Sequence, residues 1–255
     1  MRINTKKLLK NDRSVMLACD HGLERGPKDF NLKNIDPQYV LDIALEGNYN
    51  SVILHSGIAE KYYHEAYKDI PLVVKLNGKT SSPYTASVSQ QVCSVDRAIK
   101  LGASAVGYTV FGPEQTLLGE FGSVVERAHD YGIPVIAWMR PQSAAASTDL
   151  LAYSARMGLE LGADFVNVKY NNDPEGFKWV VKNAGRTRVL AAGGSKQNPK
   201  EFLHRSREIL STGATGIAVG RNIWQDHRPY ALTQAVRDLM FHNKRVEDVL
   251  HYLNE

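Results

Sequence analysis

The sequence predicts an α/β protein, a closed parallel (β/α)8 TIM barrel in a single domain over residues 1–255. Three observations carry that expectation. Eight short β-branched segments recur along the chain, amphipathic helical periodicity fills the intervals, and the helical segments repeatedly end in glycine. A length of 255 residues is also what one such barrel ordinarily uses.

The strand candidates, in order, are SVMLACD (14–20), SVILHS (51–56), PLVVKLN (71–77), AVGYTV (105–110), PVIAWMR (134–140), DFVNVKY (164–170), RVLAAGG (188–194) and GIAVGR (216–221). Between them, YVLDIALEG (39–47), VDRAIKLG (95–102), LAYSARMGLELG (151–162) and EFLHRSREILSTG (201–213) carry helical periodicity. Gly47, Gly102, Gly132, Gly162 and Gly213 are expected as left-handed caps that stop each helix before the next strand. VEDVLHYLNE reads as a short terminal helix. The rival fold is a doubly wound open sheet. That fold ordinarily shows a glycine-rich dinucleotide turn after its first strand, and here the turn reads CDHGLERGP.

Composition narrows the function. With 43% hydrophobic and 23% charged residues, the chain can bury a large core and is not disordered. A net charge of +4 suits an anionic small molecule, and no lysine/arginine block is dense enough for a nucleic-acid footprint. Two cysteines, Cys19 and Cys93, make neither a disulfide framework nor a zinc knuckle and are expected as reduced thiols. The basic start MRINTKKLLKNDR lacks the apolar run of a signal peptide, and no apolar stretch is long enough to span a membrane. A cytoplasmic protein is expected. The eight histidines are scattered without ligand spacing, so no metal is expected.

In a barrel, functional groups gather at the C-terminal strand ends. Strand six, DFVNVKY, raises the sharpest question, because Lys169 interrupts an apolar pattern. If Lys169 points inward, Asn167 and Phe165 share its face, while Val168 and Tyr170 face the helices. The same parity places Lys75 with Asn77 on strand three, Trp138 with Arg140 on strand five, and Asp20 at the tip of strand one. A lysine desolvated there, beside the positive charge of Lys75, keeps a fraction of free amine. That amine condenses with a ketone or aldehyde to an iminium, an electron sink that lets a nearby carbon–carbon bond break or form. Asp20 is then placed to move protons. The competing reading is that Lys169 reaches to solvent or pairs with Asp20 for stability.

A second constellation joins LAAGGSK (190–196) to IAVGRNIW (217–224). Loops after strands seven and eight form the usual barrel phosphate site. Gly193, Gly194, Ser195, Lys196, Gly220 and Arg221 therefore read as a phosphate cradle, or separately as tight turns. His21 follows Asp20 and either binds substrate or braces its loop. Arg25 and Asp29 either reach a second phosphate or hydroxyl, or make a surface ion pair. His55 reads as a mouth residue, and Trp224 as packing or a subunit contact.

The stretches ACDHGLERGP, SGIAEKYY, PLVVKLNGKT, LGASAVGYTVFGPEQ, KYNNDPEGFKWVVKNAG and GATGIAVGRNIWQ run in order along nearly the whole chain. Together they resemble the archaeal-type class I fructose-bisphosphate aldolases. The resemblance implies a (β/α)8 barrel, a Schiff-base lysine at Lys169, and a homo-oligomer, typically a ring-based decamer. It aligns Asp20 and His21 with the family's D-H-G motif for substrate and proton handling. Asn167 falls in the pocket, and Gly194, Ser195, Lys196, Gly220 and Arg221 match the phosphate cradle. No cofactor is implied.

One departure matters. The family carries a tyrosine after strand five, in a pattern like W-x-Y-P-R-G, as its general acid/base. Here the segment is AWMRPQSA, with Arg140 at the tyrosine position and Gln142 at the following arginine. A guanidinium stays protonated near neutral pH and does not shuttle protons. Three explanations stand. Asp20, Tyr108 or a water held by Arg140 takes the acid role; the enzyme runs a related reaction; or lyase activity is weak. The first expectation is cleavage of fructose 1,6-bisphosphate to dihydroxyacetone phosphate and glyceraldehyde 3-phosphate. The alternatives are a transferase such as a 2-amino-3,7-dideoxy-heptulosonate synthase or a thiolase of phosphorylated diketones, and a sugar-phosphate-binding protein.

Overall fold

In the computed structural model, residues 3–80, 89–111, 115–141 and 147–253 are described. Eight strands form one closed parallel barrel. They are β1 (Ser14–Cys19), β2 (Ser51–His55), β3 (Leu72–Lys75), β4 (Ala103–Phe111), β5 (Val135–Arg140), β6 (Phe165–Lys169), β7 (Arg188–Ala192) and β8 (Gly216–Val219). Each pairs with its successor, and β8 closes on β1 through the Ser14–Gly216 to Leu17–Val219 register.

Among the described residues each strand is followed by a main helix, besides the short helical turns Gly22–Arg25, Arg221–Trp224 and Val246–Val249: α1 (Pro37–Glu46), α2 (Ser56–Tyr62), α3 (Val95–Lys100), α4 (Gln115–Asp130), α5 (Thr148–Glu160), α6 (Pro174–Asn183), α7 (Pro199–Ser211) and α8 (Pro229–Phe241). Their starts follow from capping chemistry. The side chains of Asp36, Ser94, Ser147, Asp173 and Asn198 each accept a backbone N–H of the first turn. Pro37, Pro174 and Pro199 occupy first-turn positions, where the missing N–H costs nothing. At the other ends, Gly102, Gly132, Gly162 and Gly213 take left-handed backbone, as expected. Gly47 does not: its φ is −74°, and Asn48 supplies the left-handed turn with φ 48°. Gly47 is held to glycine by crowding instead, since a Cβ there would stand 2.6 Å from the Ile43 carbonyl oxygen and 2.7 Å from Thr233 Cγ2.

Strand alternation sorts the core into two parts. Val166 and Val168 join Tyr170 in the layer under the helices. Met16, Ile53, Val73, Ile136, Phe165 and Leu190 fill the barrel interior with Trp138 above them, and Leu8 plugs it from below. Ser14 Oγ donates to the Leu8 carbonyl at 2.8 Å, which fixes that plug. Burying this much branched apolar surface at roughly 25 cal/mol per Å² is the main term holding the barrel closed.

The third strand is shorter than the sequence predicts. It leaves the barrel after Lys75, and Asn77–Gly78 pair instead with Gln90–Gln91 in a small antiparallel ladder. The side chain of Asn77 explains the departure. It donates from Nδ2 to the Thr109 carbonyl at 2.8 Å and accepts the Thr109 N–H at 2.7 Å, replacing ladder bonds with side-chain bonds.

Candidate active site

A cavity of about 740 Å³ opens at the C-terminal ends of the strands. From the sequence-predicted residues it gathers Asp20, His21, Lys75, Trp138, Arg140, Asn167, Lys169, Gly193, Gly194, Ser195, Gly220 and Arg221. Glu24, Arg25, Lys28, Lys79 and Thr109 line it too.

Lys169 ends β6 at this mouth and is exposed, so the desolvated lysine that the sequence suggests is corrected: the strand lifts the amine clear of the packed interior. Nor does it pair with Asp20. The carboxylate of Asp20 faces Lys75 Nζ at 3.4 Å and His21 Nδ1 at 3.6 Å, while Lys169 has no hydrogen-bond or ion-pair partner among the described residues. A primary amine without a partner, in an open cavity, is free to meet an incoming carbonyl.

Lys75 is 3% exposed, an unusual place for an ammonium group. Asp20 and the face of Trp138, 4.8 Å from its Nζ to the ring centroid, compensate it. The ring lies there because β4 has a glycine beneath it. A Cβ on Gly107 would stand 2.3 Å from Trp138 Cζ3. Burial works against ionisation of Asp20, but Lys75 overrides it and holds the carboxyl below the usual aspartate range. Burial also lowers His21 and His55 below the ordinary histidine value, so both are neutral near pH 7.

Arg140 points across the strand gap to β6. Its Nη1 donates to the carbonyls of Met139 at 3.0 Å and Asn167 at 3.1 Å, and its Nη2 to Asn167 Oδ1 at 2.9 Å. Burial draws the guanidinium down from its ordinary value. Gln142, the other departure in AWMRPQSA, lies outside the described residues. Tyr108, weighed as an acid, faces outward into the helix layer, where its hydroxyl donates to Glu120 and burial raises its pKa.

On the far strands, Arg221 donates from Nη2 to the Gly194 carbonyl at 3.2 Å and from Nη1 to Asp29 at 3.4 Å. Its Nε is buried and has no hydrogen-bond partner among the described residues. Gly194 has φ 72°, and a Cβ at Gly220 would lie 2.7 Å from the Ala18 carbonyl oxygen, so both positions require glycine. Three expected residues do not line the cavity. Asn77 braces β4, Asp29 is spent on Arg221 and on Arg25 at 3.8 Å, and Lys196 turns away to a salt bridge with the buried Asp226.

Sequence reasoning missed Asn222. Its Nδ2 holds the Gly193 and Ser195 carbonyls at 2.9 and 3.1 Å, and its Oδ1 accepts the Gln197 N–H, so it shapes the whole loop after β7. A buried asparagine following Gly220-Arg221 was the available signal. Trp224 packs inside the chain: Nε1 donates to the Ala18 carbonyl at 3.0 Å, and the ring stacks on Phe30. Cys19 is inert, its thiol pushed up to about 12 by burial. Among the described residues, no three of His, Cys, Asp and Glu are gathered to hold a metal ion.

A family model for DeoC/LacD family aldolases matches residues 14–226, spanning all eight strands. The chain belongs to the DeoC/LacD aldolase family. Within this aldolase family it is 39% identical, over 97% of its length and 98% of the relative's, to the class 1 fructose-bisphosphate aldolase of Thermoproteus tenax. It is 32% identical to the 2-amino-3,7-dideoxy-D-threo-hept-6-ulosonate synthase 1 of Archaeoglobus fulgidus, covering 98% of this chain and 95% of the synthase. An archaeal fructose-1,6-bisphosphate aldolase, solved with its catalytic lysine covalently bound to the carbinolamine intermediate of its substrate, superimposes with a TM-score of 0.85. That match has 38% identity and covers 93% of this chain and 96% of the other.

Proposed function

We propose that this aldolase reversibly cleaves fructose 1,6-bisphosphate through a Schiff base on Lys169. The observation that carries the reading is the unpartnered Lys169 amine at the end of β6, in one cavity with the Lys75–Asp20 pair. Cationic side chains lie on separate loops of that cavity: Arg221 after β8, Arg25 and Lys28 after β1, and Lys79 after β3. That distribution suits a substrate with a phosphate at each end.

Lys169 attacks the C2 ketone, and loss of water gives the iminium. A base takes the proton of the C4 hydroxyl, the C3–C4 electron pair moves into the iminium, and glyceraldehyde 3-phosphate leaves. The enamine is protonated at C3 and hydrolysed to dihydroxyacetone phosphate, which frees the amine. Asp20, ionised at neutral pH, is the base, acting directly or through water. Arg140 stays protonated and is not the acid.

The reading carries with it a cytoplasmic location and a ring-based homo-oligomer. Among the described residues no helix is long and apolar enough to cross a membrane. Tyr153 on α5 and Trp179 on the adjacent α6 are exposed large hydrophobic side chains, of the kind a second copy could cover.

Borohydride with fructose 1,6-bisphosphate or dihydroxyacetone phosphate should leave a reduced adduct on Lys169, and Lys169→Met should leave none. An adduct on any other side chain overturns the assignment. Release of triose phosphate from fructose bisphosphate separates the lyase from a transferase that forms the same Schiff base.

A further inference from the structure

Arg140 and Asn167 form a unit that the Schiff-base chemistry does not explain. Asn167 is 1% exposed, yet it lines the cavity on the same inward face as Lys169, two residues and about 6.6 Å along the strand. Its side chain has a fixed sense. An arginine carries donors only, so the group that meets Arg140 Nη2 at 2.9 Å has to be the carbonyl oxygen of the amide. The NH₂ therefore points the other way. That Nδ2 is buried and finds no acceptor among the described residues. A buried, unsatisfied donor is costly, and a ligand atom is one way to satisfy it.

We infer that Asn167 donates a hydrogen bond from Nδ2 to an oxygen of the bound sugar, on or beside the carbon that Lys169 attacks, and that Arg140 is the positioning residue that locks the amide in this orientation. The inference rests on the Schiff-base reading of Lys169. It gives the arginine a use that needs no proton transfer. Two hydrogen bonds to the Asn167 residue, one to its backbone carbonyl and one to its side chain, hold the strand end and the amide together. A neutral amide donor stabilises negative charge building on the attacked ketone's oxygen without giving up a proton. The proton itself then comes from water or from the Asp20 side of the cavity.

The decisive variant is Asn167→Asp. It keeps the shape and the partner for Arg140 but replaces the donor with an acceptor. The rate of borohydride-trapped adduct formation with dihydroxyacetone phosphate, and kcat/KM for bisphosphate cleavage, should both fall by about 100-fold or more, with no loss of thermal stability. Arg140→Met should lower kcat about 10-fold with KM little changed, and Arg140→Lys, which keeps a donor, should recover most of that loss. The double variant Arg140→Met/Asn167→Asp should be no worse than Asn167→Asp alone, because the two act as one device.

Adduct formation by Asn167→Asp within about threefold of wild type would overturn the inference, as would single losses that multiply in the double variant. Should Asn167→Asp fold poorly, the wild-type Asn167 side-chain NH₂ resonance decides. It should move downfield when dihydroxyacetone phosphate binds, and an unmoved resonance refutes the contact. Wild-type protein that yields no adduct on Lys169 with any phosphorylated ketose would mark failure of the Schiff-base reading itself, and the inference falls with it.

Discussion

Two aspartates that each face a lysine, Asp20 partly buried and Asp238 buried, sit at opposite kinds of place in this molecule. Asp238 lies on α8, where its carboxylate accepts from Lys244 at 2.7 Å, His242 at 2.7 Å, Tyr252 at 2.9 Å and Gln234 at 3.3 Å. All four donors come from the same C-terminal stretch, and the result is a saturated clasp. Asp20 sits in the cavity with Lys75 at 3.4 Å and His21 at 3.6 Å, contacts that leave lone pairs available. Both carboxyls are held below the ordinary aspartate range, and for both burial works against ionisation and the paired donors win. The difference lies in saturation. One carboxylate has every lone pair occupied by its own chain, and the other keeps capacity for a substrate.

The contrast breaks first at Asp20. Asp20→Asn should lower kcat for bisphosphate cleavage by about 100-fold, the low end of what a general base contributes, while moving the melting temperature less than the clasp variant does. A variant that melts like Asp238→Asn but turns over normally would make Asp20 a structural residue.

Next in size is Asp238→Asn, which should cost about 2 kcal/mol of stability with kcat unchanged, read from denaturant melts. Its pH dependence follows from the carboxyl being lowered to about 2. Its contribution is complete above the unfolded value near 4 and fades as pH falls through the folded value near 2. Asp238 should therefore account for about 2 kcal/mol of the stability that the wild-type protein loses across that acid window, and Asp238→Asn should lose that much less. Equal slopes in the two proteins would remove Asp238 as the source.

The smallest expected effect sharpens the cavity side. Gly107→Ala forces the Trp138 ring off its seat and away from Lys75, at a cost of about 1 kcal/mol, the low end for an overpacked site. Indole fluorescence should shift, and KM should rise before stability fails. An unchanged spectrum would mean that the ring does not rest on this glycine.

Much of the barrel was legible because its signals are local. Helix starts are written in Asp36-Pro37, Ser94, Ser147 and Asn198-Pro199, each within a turn of the backbone group it satisfies. Parity alone placed Phe165 and Asn167 inward and Val166 and Val168 outward. Several of the assignments that failed depend on distant partners. Asn77 is claimed by Thr109, 32 residues on, and Lys196 by Asp226, 30 residues on. Arg140 looks like a broken acid site until Asn167, 27 residues away, is seen to accept its hydrogen bonds. A residue type says what a side chain can bond, but only the closed barrel says which neighbour reaches it first. For Lys169 only the expected desolvation is corrected, and there the reason is local: the four strand residues before it are buried, and the strand ends on Lys169 itself, which is exposed.

The turn Arg221–Trp224 sits where the last strand meets the first. Asn222 ties it to the β7 loop, Trp224 to the end of β1, and the following Gln225 to the Asp29 carbonyl. An anion gripped by Arg221 would thus knot the beginning of the polypeptide to its final third, so ligand loading should slow amide exchange along that closing seam as well as in the cleft.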